Sequence, residues 1–173
     1  MPQHILITGG AGFIGSRLAN QLVNNGHKVR VLDNLSPQIH GENPENSALY
    51  LSLNETVEFI RGSVTSHADL THALNDIDTV VHLAAETGTG QSMYAIQHYS
   101  DVNIGGTSLL LDLIANQQLP VNKIIVASSR AVYGEGKYHC TEHGFVYPKA
   151  RSSEKMEHGD FSVQCPQCGI PAD

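Results

Sequence analysis

The sequence has no basic run, no long apolar run and few cysteines, and each scarcity removes a class of function. Lysine and arginine together number 10 against 17 aspartates and glutamates, for a formal charge of −7. An acidic chain without a basic patch has no sequence-independent grip on phosphate backbones, so nucleic acid is not expected as a partner. No apolar stretch approaches the roughly 20 residues of a membrane span, and no basic segment precedes the first apolar run as a leader requires. No membrane partner is expected. The three cysteines, Cys140, Cys165 and Cys168, are odd in number and confined to the last third. That is not a disulfide framework and it suits a reducing compartment, so the expected location is cytoplasmic.

What is present, 173 residues with 40% hydrophobic and 16% charged content, suffices for a domain with a real core. The chain is organised around Ile5 to Gly15, which reads Ile-Leu-Ile-Thr-Gly-Gly-Ala-Gly-Phe-Ile-Gly. The β-branched run to Thr8 is a strand, the glycines Gly9, Gly12 and Gly15 make a tight turn, and Phe13 to Asn25 is a helix. Phe13, Ile14, Leu18, Leu22 and Val23 give that helix an apolar face to cover a sheet, and Gly26 stops it. An ordinary glycine-rich turn looks the same up to this point. The next strand discriminates: Lys28 to Leu32 ends at Asp33, the eighteenth residue after Gly15, and a spacing of about 20 is that of the acid that binds an adenosine ribose. Free amides at the helix start and the helix dipole favour a pyrophosphate there. A carboxylate at Asp33 repels a 2′-phosphate, so the expected cofactor is NAD rather than NADP.

Strand and helix then alternate. Asn34 to Glu55 reads as mostly loop, Val57 to Arg61 as a third strand, and Ser66 as the cap of a helix from His67 to Leu74. Asp78 to Ala85 is apolar enough for a central parallel strand, Leu109 to Ile114 supplies a helix core, and Lys123 to Ala127 is a fifth strand. Five strands with crossover helices make an α/β, doubly wound parallel sheet in the order 3-2-1-4-5. Ligands in such sheets bind beyond the carboxyl ends of the strands.

Thr8 to Gly15, Leu32-Asp33-Asn34-Leu35, His82-Leu83-Ala84-Ala85, Asn103 before Gly106-Thr107, and Ser128-Ser129-Arg130-Ala131-Val132-Tyr133-Gly134 together resemble the extended short-chain dehydrogenase/reductases. More narrowly, they resemble the NAD-dependent epimerase/dehydratase family of nucleotide-sugar enzymes, with its Rossmann-like fold. The resemblance implies that Gly9, Gly12, Phe13, Ile14 and Gly15 hold the pyrophosphate, Asp33 and Asn34 the adenosine ribose, and Leu83, Ala84 and Ala85 the nicotinamide side, with Asn103 facing the cofactor. Ser63, beside Val64 in the adenine region, stands where the family usually has an aspartate. Ser129 matches the family's catalytic Ser/Thr. Arg130 and Ala131 replace the acidic pair of dehydratases, which favours epimerase chemistry, and Thr87 to Met93 looks most like the rhamnose-type 4-epimerases. The family's base and its lysine partner lie on one helix face as Tyr-x-x-x-Lys. Tyr133 and Lys137 have the spacing, but Gly134 and Gly136 between them oppose a helix, each by about 1 kcal/mol, so neither is read as catalytic.

Two further expectations follow. Cys140-x2-His143 and Cys165-x2-Cys168-Gly169, with His143 and Cys165 22 positions apart, have the four-ligand spacing of structural zinc; His139 is an alternative to His143, and three reduced thiols in a loop are the plain reading. The other eight histidines are read as surface residues. Residues 1–134 are then an NAD-binding domain and 135–173 an insertion with a zinc knuckle. The substrate lobe is absent, which makes the chain the front half of an enzyme whose partner, once that lobe completes it, is a nucleotide sugar. A homodimer stays open. A non-catalytic NAD-binding domain and a zinc-knuckle interaction module are the competing readings.

Overall fold

The computed structural model describes residues 1–117 and 119–173. The side chains of Arg130 and Ala131 also lie outside the description. The chain forms two compact units, Met1–Ala127 and Ser128–Asp173.

The first unit is a five-stranded parallel sheet built from β1 (His4–Thr8), β2 (Lys28–Asp33), β3 (Glu58–Arg61), β4 (Thr79–His82) and β5 (Lys123–Val126), in the order β3-β2-β1-β4-β5. The central strand β1 pairs on both sides, Ile5 with Val29 and Thr79, and Ile7 with Val31 and Val81. Successive side chains on a strand point to opposite faces, so the sheet divides its apolar residues between two cores. Leu6, Leu32 and Val80 join Leu70, Leu74, Ile77, Leu110 and Leu113 on one side. Ile5, Ile7, Val29, Val31 and Val81 join Ala19 on the other. Ala19 lies on α1 (Phe13–Asn24), Leu70 on the helix His67–Ala73, and Leu110 and Leu113 on the helix Thr107–Asn116, while Leu74 and Ile77 follow the second of these. Ser66 caps the second of these by accepting from the Asp69 amide, as its sequence position requires.

Four local expectations are corrected. Phe13 and Ile14 are 64% and 67% exposed rather than packed on the sheet; Gly15, Ser16 and Ala19 are buried instead, because small residues let α1 lie close and leave its first turn overhanging the strand ends. The stretch from Asn34 to Glu55 contains helical turns at Pro37–His40, Pro44–Asn46 and Ala48–Leu51. Strand β4 ends at His82 rather than Ala85, since the Ala84 amide turns to the Thr8 hydroxyl. The helix holding Leu109 begins much earlier, as Ile96–Ser100, then a π-helical segment Asp101–Gly106, then Thr107–Asn116.

The second unit has a short antiparallel hairpin, β6 (Tyr138–Cys140) and β7 (Gly144–Val146), a helical turn at Ser153–Glu157 and a bridge between Gln164 and Pro171. Among the described residues no helix is long and apolar enough to cross a membrane.

Candidate cofactor site and candidate metal centre

The loop between β1 and α1 is shaped by what its glycines lack. A Cβ on Gly15 would lie 2.5 Å from the Gly9 carbonyl oxygen, and one on Gly9, where φ is +69°, would lie 2.7 Å from the Ala84 nitrogen. Both positions are closed to any side chain. Gly12 differs: a Cβ there meets only the Gly9 oxygen, at 3.3 Å, so its open side faces away from the protein and admits a ligand close to the backbone. The Gly12 amide is bonded to the Gly9 carbonyl and the Ser16 amide to the Gly12 carbonyl. The amides of Phe13 and Ile14 have no acceptor among the described residues, and α1 has neither a capping side chain nor an acid in its first turn. Twelve aligned peptides therefore end in uncompensated donors, the arrangement that binds an anion.

Asp33, at the end of β2, is buried and points at this loop. Its Oδ2 accepts from the Ala11 amide at 2.9 Å and its Oδ1 from the Leu35 amide at 2.8 Å. Each oxygen keeps a lone pair for a hydroxyl. Asn34 is exposed and closes an Asx turn on the Ser36 amide. His40 corrects the expectation that it lies on the surface. It is 7% exposed, its Nδ1 is 2.8 Å from the Ser47 hydroxyl, and its Nε2 is 4.0 Å from Asp33.

Asn34 and Ser63 also line a cleft of about 430 Å³, together with Thr65, His98, Asp101 and Val102. Val64 lies buried beside Ser63, and the π-helical segment comes close to it because Gly106 has no Cβ to strike the Val64 side chain 2.7 Å away. The Ser63 hydroxyl is within 2.8 Å of the Thr65 hydroxyl and accepts from the Thr65 amide. Thr65, His98 and Asp101 are cleft residues that no sequence motif marked.

Leu83, Ala84 and Ala85 follow β4, and a hydrogen-bonded chain behind them was missed in the sequence. His82, 3% exposed, also belongs to the core rather than the surface. Its Nδ1 is 2.7 Å from Thr8 Oγ1 and its Nε2 is 3.1 Å from Thr107 Oγ1. One direction of donation satisfies every group: the Ala84 amide donates to Thr8 Oγ1, Thr8 donates to His82 Nδ1, His82 Nε2–H donates to Thr107, and Thr107 donates to the Asn103 carbonyl. That direction needs a neutral imidazole, and burial holds the His82 pKa below the ordinary histidine value. Asn103 completes the set by gripping the Glu86 backbone at both ends, accepting from its amide at 2.8 Å and donating to its carbonyl at 3.1 Å. Its side chain thus fixes the loop after Ala85. The signal available for His82 was its place in a strand buried on both faces, where every residue of β4 is covered.

In the second unit, Ser129 is exposed and its carbonyl accepts from the Val132 amide, opening a tight turn over Arg130–Tyr133. Tyr133 is 81% exposed and is followed by Gly134 and Gly136, both with positive φ. Tyr133 and Lys137 therefore share no helix face, and the Lys137 ammonium sits over the Phe145 ring at 3.7 Å. Cys140, His143, Cys165 and Cys168 do converge, with their ligand atoms all within 4.8 Å of one another. Cys140 Sγ lies 3.6 Å from His143 Nδ1 and 3.7 Å from Cys168 Sγ, and Cys165 Sγ lies 3.7 Å from His143 Nδ1. The Glu142 amide foremost, and the His143 imidazole, hold the Cys140 thiol down to about 6. His139 is not in the cluster; its ring packs edge-on against Phe145.

The model of the NAD dependent epimerase/dehydratase family matches residues 5–152. The dTDP-L-rhamnose 4-epimerase of Burkholderia thailandensis is 39% identical over 155 residues, covering 88% of this chain and 42% of that protein. A putative UDP-glucose 4-epimerase of Methanocaldococcus jannaschii is 35% identical over 137 residues, covering 78% and 41%. Among solved structures, UDP-glucose 4-epimerase from Bifidobacterium longum in complex with NAD+ and UDP is similar with a TM-score of 0.60 and 34% identity, over 76% of this chain and 38% of that one. The chain thus spans about two-fifths of the length of these relatives.

Proposed function

The chain belongs to the NAD dependent epimerase/dehydratase family, and on that premise we propose that it is the cofactor-holding part of a nucleotide-sugar 4-epimerase. The observation that carries this reading is the Asp33 carboxylate fastened to the Ala11 amide beside a helix start whose Phe13 and Ile14 amides have no acceptor among the described residues. In this reading those amides hold the pyrophosphate, which Gly12 lets approach closely. Asp33 and Asn34 take the adenosine ribose, and the Ser63 and Val64 end of the cleft takes the adenine. Leu83, Ala84 and Ala85 wall the nicotinamide side, and Asn103 fixes that wall through Glu86.

When bound, NAD supplies the hydride acceptor for the sugar carbon that carries the 4-hydroxyl, and the donor that returns hydride to either face. The chain's own residues fix the cofactor's orientation and exclude its 2′-phosphorylated form. Ser129, by its resemblance to the family's Ser/Thr, is proposed to hydrogen-bond the sugar oxygen. Among the described residues the Tyr-x-x-x-Lys spacing occurs only at Tyr133, which ends a single 3₁₀ turn, and Lys137, which lies beyond it, so the two share no helix and proton transfer is assigned to no residue of this chain. The substrate, a nucleotide sugar, engages when a substrate lobe completes the site.

Isothermal titration of the full chain tests the reading. Saturable binding of NAD+, at least ten-fold tighter than that of NADP+, supports it; no saturable binding at millimolar NAD+ overturns it. For the second unit we infer a structural zinc ion, because three sulfurs and an imidazole nitrogen are a zinc donor set and leave no open coordination position.

A further inference from the structure

We propose that a single Zn²⁺ held by Cys140 Sγ, His143 Nδ1, Cys165 Sγ and Cys168 Sγ is the core around which the Ser128–Asp173 unit folds, so that this unit is ordered with the metal and disordered without it. The proposal rests on the zinc reading above. The distances fit first. With Zn–S near 2.3 Å and Zn–N near 2.0 Å, a tetrahedral site has S···S edges of about 3.8 Å and S···N edges of about 3.5 Å. The cluster shows 3.7 Å between two sulfurs and 3.6 and 3.7 Å between sulfur and nitrogen.

The backbone is built for the same purpose twice. Cys140-Thr-Glu-His143 is followed by Gly144 with φ +67°, and Cys165-Pro-Gln-Cys168 by Gly169 with φ +74°. Each ligand pair thus ends on a left-handed glycine that turns the chain back, and no Cβ contact obstructs either one. In the second knuckle the Gly169 amide donates to the Cys165 carbonyl and the Cys165 amide to the Ile170 carbonyl. In the first, Cys140 pairs with Gly144 across β6 and β7. Two matching turns face one another with their ligand atoms inward.

Little else holds this unit. Its buried cluster is Cys140, Val146, Cys165 and Ala172, with Tyr138 and Cys168 against it. Phe145, Tyr147 and Phe161 are 69%, 71% and 61% exposed. A segment this short with so little apolar burial needs a disulfide, a metal or a partner, and all three cysteines are free thiols. The metal supplies the missing free energy through binding. The family match ends at residue 152, before Cys165 and Cys168, so the centre needs ligands from beyond the matched segment.

The full chain purified from cells is assayed for metal by inductively coupled plasma mass spectrometry, and amide hydrogen exchange is followed before and after zinc removal by chelation. The expected result is one zinc per chain, with protection at residues 138–146 and 163–173 falling at least ten-fold on removal and returning on zinc addition, while residues 5–8, 29–33 and 80–83 are unchanged. Substitution with Co²⁺ gives tetrahedral d–d and thiolate charge-transfer bands. Cys165→Ser loses the metal, whereas His143→Cys retains it, which separates a ligand role from a packing role. A chain that binds no zinc, as purified or on addition, overturns the zinc reading and the proposal together. One zinc per chain with unchanged protection after its removal overturns the folding role alone.

Discussion

The two units of this chain solve the same problem by different means. In Met1–Ala127 the sheet buries Leu6, Ile7, Leu32, Leu70, Leu74, Ile77, Leu110 and Leu113 to 1% exposure or less, and each such side chain contributes about 1.5–3 kcal/mol. In Ser128–Asp173 half of the buried cluster is cysteine and the rest is one valine and one alanine. Apolar area stabilises the first unit and, on the zinc proposal, coordination stabilises the second. A perturbation aimed at one mechanism should spare the other.

Removing a metal ligand is therefore the sharpest way to break the contrast. Cys168→Ser should abolish zinc binding and the local order of the second unit, leaving NAD affinity and the exchange protection of the sheet as they were. If the sheet loosened as well, the two units would not be independent in stability. The reciprocal change is Leu70→Ala in the first unit. Leu70 is fully buried in the cluster that holds Leu32 of β2 and Ala73 of its own helix, so truncation should cost about 2–5 kcal/mol of that unit's stability through lost contacts and a cavity. Chemical denaturation followed by circular dichroism measures it, with zinc content per chain as the quantity that must not change.

A smaller effect separates folding from binding within the first unit. Asp33→Asn keeps the shape of the side chain but removes the charge that the Ala11 and Leu35 amides meet. A hydrogen bond to a charged group is worth about 1.5–3 kcal/mol, so NAD+ affinity should fall roughly ten- to a hundred-fold, and the preference for NAD+ over NADP+ should narrow. Calorimetric titration of both cofactors against the variant checks both parts. An unchanged NADP+ rejection would show that the carboxylate is not what excludes the 2′-phosphate.

The same contrast explains which parts of the molecule the sequence made legible. The sheet was readable because Ile5, Leu6, Ile7, Val80 and Val81 form runs that only a strand covered on both faces accommodates, and Asp33 because its spacing from Gly15 is set by one strand and one helix. The cluster Cys140, His143, Cys165 and Cys168 was readable as donor chemistry, but β6 and β7 were not, since three-residue strands have no alternation to detect. Their pairing follows from the knuckle geometry rather than from side-chain pattern. The π-helical segment Asp101–Gly106 escaped for another reason: the contacts it makes, Gly106 against Val64 and Asn103 on the Glu86 backbone, join residues distant in sequence. His40 and His82 were misplaced on the surface because a histidine's composition-level prior is exposure, and only tertiary partners such as Ser47, Thr8 and Thr107 reverse it.

His82 gives the smallest expected effect and distinguishes a buried neutral histidine from a surface one. Its hydrogen-bonded chain requires Nδ1 to accept from Thr8, so a proton on Nδ1 breaks the chain as well as placing a charge in the core. Burial lowers its pKa from the 6.5 of an ordinary histidine. Above pH 6.5 the imidazole is neutral in the folded and the unfolded chain and makes no pH-dependent difference. As pH falls below 6.5 the unfolded chain takes up the proton first, so the first unit loses stability by at most about 1.4 kcal/mol per pH unit, until folded His82 itself titrates. His82→Gln, which keeps a neutral polar group in place, should flatten that slope while lowering stability at neutral pH. Urea midpoints at pH 7.5, 6.5 and 5.5, compared between the parent chain and the variant, isolate this residue from the other histidines. Equal slopes in the two proteins would mean that His82 takes up its proton as easily folded as unfolded, and that burial does not hold the imidazole neutral.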